Sequence, residues 1–172
     1  MKQRIIKIVA YFLLLVGTFT LQTSVFYFFP LADITPNLML IMVMATGLMR
    51  GRKTGMIVGF FAGFLLDVFS GGYLGVYAFI YMLFGYVNGF FNHLFYAEEV
   101  VFPIAMIALN DLVYGLVIYF IFFFMRGKWD FFFYLKRIIL PEAVYTLLVG
   151  LVFYFVLLWL DGKMERYEKR SA

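Results

Sequence analysis

Residues Val100 to Met125 read VVFPIAMIALNDLVYGLVIYFIFFFM, 26 residues with a single charge, Asp111. A helix of that length rises about 39 Å at 1.5 Å per residue, enough to cross the roughly 30 Å hydrocarbon core of a bilayer. Working outward, the intervals between charges define five further apolar segments: 8–29, 37–49, 54–66, 73–91 and 138–160. The second and third hold 13 residues each and would rise only about 20 Å as helices. They must recruit flanking residues or stay short and buried among other helices. The expected architecture is an all-α integral membrane protein. It is a six-transmembrane-helix bundle forming a single domain over 1–172, with short second and third segments and a tail at 161–172.

Composition agrees with lipid as the solvent. Charged residues make up 14% of the chain, hydrophobic residues 65% and aromatic residues 23%, and mean hydropathy is +0.96. A soluble domain carries about a quarter charged residues and needs them to cover its surface. Such a balance excludes a soluble enzyme and a disordered chain. Zero cysteines and one histidine, His93, exclude thiolate chemistry and histidine-cluster metal sites. The net charge of +4 belongs to membrane topology rather than to nucleic acid.

The first segment follows Lys2, Arg4 and Lys7, as a signal peptide would. It is too long for a signal h-region and no small-x-small site follows, so it reads as a retained helix. Six crossings place both termini on one side, with ten of the fourteen basic residues; Arg126, Lys128, Lys136 and Arg137 fall on the other. The basic excess assigns both termini to the cytoplasm. A five-span arrangement, with segments two and three re-entrant, is the alternative. The aromatic run Trp129–Tyr134 suits a segment lying in the outer interface.

Gly47, Gly51, Gly55, Gly59 and Gly63 recur every fourth residue, and Gly85 and Gly89 repeat the spacing. Small residues at this interval let membrane helices approach closely. Packing within the chain is the expected use; a homo-dimer is the other. Polar residues at membrane depth are few. Asp67 sits at the end of segment three, the unfavourable end of the helix dipole, so it needs a partner, a cavity or water. Asp111, next to Asn110, costs several kcal/mol as a bare charge in hydrocarbon and marks a polar site at depth. Asn88 and His93 are further polar groups of the helical set. Glu142 after Pro141 reads as a first-turn acid at the start of the last helix. No catalytic, cofactor or metal-ligating pattern emerges.

The segment from Pro36 to Gly75 carries a more specific pattern. Pro36-Asn37-Leu38 opens one run; Gly59-Phe60-Phe61-Ala62-Gly63-Phe64-Leu65-Leu66-Asp67 follows, then Ser70-Gly71 and Leu74-Gly75. Together with Pro141-Glu142-Ala143-Val144-Tyr145 these resemble the rod shape-determining protein MreD family, along essentially the whole chain. The resemblance implies a non-enzymatic scaffold of the bacterial cell-wall elongation machinery (the elongasome), which makes peptidoglycan and maintains cell shape from the cytoplasmic membrane. It implies MreC as partner, with MreB, RodA and a penicillin-binding transpeptidase in the same complex. It also implies a fold similar to the substrate-binding subunits of energy-coupling-factor vitamin transporters, and vitamin capture is therefore the alternative function. Aromatics are abundant but buried polar groups that would select a vitamin are scarce, which favours the scaffold.

Overall fold

A computed structural model describes residues 2–25, 35–70, 74–95, 101–123 and 130–170, and every regular element among them is helical. Helix α1 is Lys2–Thr20, continued by a wide turn at Leu21–Val25. Helix α2 is Leu38–Arg50, α3 is Arg52–Ser70 and α4 is Val76–Asn88, continued by a 3-10 segment at Gly89–Leu94. Helix α5 is Val101–Phe122. Helix α6 is one helical run made of Phe131–Tyr134, a wide turn at Leu135–Ile139, and Leu140–Arg170.

The two 13-residue segments resolve differently. Segment two stays short as α2, and all of Leu38 to Leu48 is buried. A helix apolar all round belongs in a core, and α2 is the centre of this one, touched by α1, α3, α4, α5 and α6. Segment three recruits its neighbours instead. As α3 it runs 19 residues, about 28 Å, with Arg52 and Lys53 inside its first turn. The two helices are joined by Gly51 alone, at φ +83°, a conformation costly for any residue with a Cβ.

Two helices among the described residues, Val101–Phe122 and Phe131–Met164, are long and apolar enough to cross a membrane. The last one begins earlier than the expected 138–160. Pro141 does not start it, because the wide turn at Leu135–Ile139 precedes the proline. Bonds reaching five residues back accommodate a ring and a missing N–H that an ideal α-turn would not. Glu142 therefore lies well inside the helical run rather than capping its free end. The outer surface is apolar almost throughout, with Phe12, Phe61, Phe69, Leu74, Val101, Phe120, Leu148 and Val152 all more than half exposed. Such a surface suits lipid and would aggregate in water.

The glycines serve packing within the chain. Helices α3 and α4 form the most extensive pair in the structure. Their backbones come so close that a Cβ at Gly59 would strike the Tyr81 carbonyl, and one at Gly63 the Tyr77 carbonyl. Gly55 and Gly85 face each other in the same manner, and Gly47 of α2 meets the Gly85 carbonyl. The ladder is thus not one helical face. Its members on α2 and α3 converge on α4 from two sides. Replacing Gly63 by leucine must push two backbones apart, at the top of the overpacking range, about 3 kcal/mol or more. Thermal unfolding in detergent should show a large drop for Gly63→Leu and little change for Gly17→Leu, where a side chain meets nothing.

Candidate functional site

The motif residues meet at the N-terminal end of α4. Asp67, one turn before the end of α3, is 2% exposed. Its carboxylate accepts three backbone hydrogen bonds: Oδ2 from the Gly75 amide at 3.0 Å and the Ala78 amide at 2.9 Å, and Oδ1 from the Tyr77 amide at 3.0 Å. These amides belong to the first turn of α4 and the residue preceding it, donors that the helix cannot satisfy itself. An acid misplaced on its own helix is well placed on the next, where the positive end of the dipole meets it. Gly75 makes the approach at φ +98°.

Asn37 does the same for α2. Its side-chain oxygen accepts from the Leu40 amide at 3.2 Å and from the Tyr81 hydroxyl at 2.8 Å. Its own amide donates to the Thr146 hydroxyl oxygen at 3.1 Å. The Met39 amide donates to the Gln22 side-chain oxygen at 2.9 Å, and the Leu38 amide to the Pro36 carbonyl at 3.1 Å. The start of α2 is buried, and its amides from Asn37 to Leu40 are all occupied, as burial demands. Pro36 is itself buried. Tyr81 links the two caps, since it lies one turn into α4 from the residues that Asp67 holds.

The remaining motif positions divide. Gly59 and Gly63 form the α3–α4 seam. Ser70 is the last residue of α3. Leu74 is 74% exposed and, with Val68, Phe69 and Phe79, forms an apolar rim around the same end. Gly71 lies outside the described residues.

The two polar residues expected at membrane depth part company. The Asn110 side chain pairs reciprocally with Asn88, at 2.6 and 2.9 Å, and donates to the Met106 carbonyl at 2.7 Å. Asn88 also donates to the Phe84 carbonyl at 2.8 Å. Those amides are spent on tying α4 to α5. Asp111 points elsewhere, and neither of its oxygens has a hydrogen-bond partner. At the opposite end of the bundle Arg50 pairs with Asp161 at 2.7 Å, tying the end of α2 to α6, and Asn92 donates to the Leu48 carbonyl at 2.5 Å. His93 is exposed.

Gln22, Tyr81 and Thr146 escaped the sequence reading. Nothing in their own neighbourhoods distinguishes them, because their roles exist only once distant helices pack. Among the described residues no group of three or more metal-ligating side chains converges. Crevices are modest. One of about 310 Å³ lies between α4 and α5, lined by Leu83, Phe84, Val87, Leu109 and Val113 with the paired asparagines at its floor. Another of about 100 Å³ is walled by Tyr114, Tyr119, Phe123 and Tyr134 and reaches Glu142.

The Asp67 clasp makes a sharp chemical demand. Asparagine is nearly isosteric but turns an amide NH2 toward backbone N–H groups, so at least one buried donor is left unmet. Asp67→Asn should lower stability by about 1–3 kcal/mol, seen as a lower unfolding midpoint in detergent. Val68→Asn, an exposed neighbour, should not.

The fold therefore places Asp67 and Gly75 at one end of the α3–α4 hairpin, ties that end to Asn37 through Tyr81, and lays Gly59 and Gly63 along the seam. The family model described as rod shape-determining protein MreD matches residues 2–160 of the chain. No curated protein and no solved structure matches it.

Proposed function

This chain belongs to the rod shape-determining protein MreD family, and from that premise we propose that it is a non-enzymatic scaffold of the cell-wall elongation complex, bound directly to MreC. Family membership makes it a rod shape-determining membrane protein; the scaffold role, the partner and the topology are our reading. In that reading all six helices lie in the bacterial cytoplasmic membrane, both termini are cytoplasmic, and the Asp67 end of the hairpin faces outward. MreB, RodA and a penicillin-binding transpeptidase join the same assembly.

One observation carries this reading. The polar groups of the motif spend their hydrogen bonds inside the chain, at Gly75, Tyr77, Ala78, Leu40 and Tyr81. Among the described residues, that end presents an apolar shape outward, the exposed Val68, Phe69, Leu74 and Phe79. A scaffold needs such a shape, whereas ligand capture needs free polar groups converging on a pocket. Vitamin capture finds less support. The 310 Å³ crevice is apolar with its amides already paired, and the 100 Å³ crevice is far below the roughly 300–1,000 Å³ of small-molecule sites.

Copurification from membranes containing both proteins tests the proposal. MreC should be retained by the wild-type chain and lost, at least about tenfold, by Leu74→Glu. That exposed substitution should leave stability within about 0.5 kcal/mol. Absence of MreC from the wild-type preparation would refute the assignment.

A further inference from the structure

Asp111 has no part in the scaffold account, yet it is 2% exposed with both oxygens unpartnered. A polar group in hydrocarbon without a partner is costly, and such acids persist where they hold something. Its surroundings are rich in oxygen. Glu142 of α6 is near enough for the two acids to act on each other, and the Thr146 hydroxyl, one turn further along α6, lies beside Asp111. Thr146 accepts from the Asn37 amide, which leaves its hydroxyl a free lone pair. Tyr81 and Tyr114 complete the neighbourhood.

Charge around the pair is one-sided. The titratable groups facing it are Tyr77 and Tyr81 of α4 and Tyr114 of α5. The nearest bases along α6, Lys136 and Arg137, are exposed before the wide turn ends, and Arg137 stacks over Phe133. The described ion pair, Arg50 with Asp161, is at the other end of the bundle. Among the described residues, then, no cation faces the buried Asp111 and the half-buried Glu142. The aromatic crevice of about 100 Å³ reaches the Glu142 side of the pair, with room for about three waters at roughly 30 Å³ each.

We propose that Asp111 and Glu142, with the Thr146 hydroxyl, form a buried acceptor site for one small monovalent cation, an alkali ion or a proton competing for the same oxygens. Hard oxygen donors suit such ions. The site stands apart from MreC binding and does not depend on it.

Thermal unfolding of the full-length protein in neutral detergent tests this, with sodium chloride exchanged for choline chloride at constant ionic strength, at mildly alkaline and mildly acidic pH. At alkaline pH the wild-type midpoint should rise with sodium and saturate, while choline has no effect. Acid should reduce the sodium response, because protons occupy the same oxygens. Glu142→Gln should move the response to sodium concentrations about tenfold higher or more, and Asp111→Asn should abolish it. A midpoint that follows pH but not sodium, and stops following pH in Asp111→Asn, assigns the site to the proton. The proposal falls if the wild-type midpoint ignores both sodium and pH, or if Glu142→Gln and Asp111→Asn titrate as the wild type does. Should Asp111→Asn fail to fold, the sodium-against-choline comparison in wild type and Glu142→Gln decides alone.

Discussion

Three backbone amides at the start of α4 have one common acceptor, the Asp67 carboxylate, and the rest of the bundle is arranged around that clasp. In water those donors would be hydrated. Buried between helices they have no such recourse, and leaving one bare costs about 1–3 kcal/mol. The clasp fixes where α4 begins relative to the end of α3. With that end pinned, the glycines of α3 meet the Tyr77 and Tyr81 carbonyls in register, and both helices close without side chains between them. Tyr81 is thereby positioned to donate to Asn37, which sets the start of α2.

That sequence of dependence explains a centre which would otherwise be unstable. Helix α2 is short, apolar on every side and entered by a buried chain. The amides at its start are taken locally by Pro36 and Asn37 and from a distance by Gln22 after α1 and Thr146 of α6. Lipid provides little drive for helices to associate, so close backbone packing and polar ties of this kind must supply it. The Asn88–Asn110 pair and the Arg50–Asp161 pair do the same work lower in the bundle and at its far end.

Much of this was legible in the sequence. Charge spacing located the helical segments, and the 13-residue length of the second and third left two outcomes open, of which each segment takes one. The Gly-x-x-x-Gly spacing announced close packing, and it is used within the chain. Local rules were less successful at the last helix. Pro141 reads as a start because an ideal α-turn excludes it, but the wide turn before it removes that objection. Asp67 read as misplaced because only its own helix was visible; its true partner is the next one. Thr146 and Gln22 were invisible for a simpler reason. Their partners are 109 and 17 residues away, and nothing local encodes such a meeting.

On the proposed function, the motif builds a rigid hairpin end that holds partners in place. Cell shape in a rod-shaped bacterium whose own family member is replaced by this chain reads that claim directly. Equal amounts of inserted protein should give rods with the wild type and rounded cells with Asp67→Asn, whose clasp is broken although every exposed residue is unchanged. Rods of normal width from Asp67→Asn, at equal membrane levels, would contradict the account.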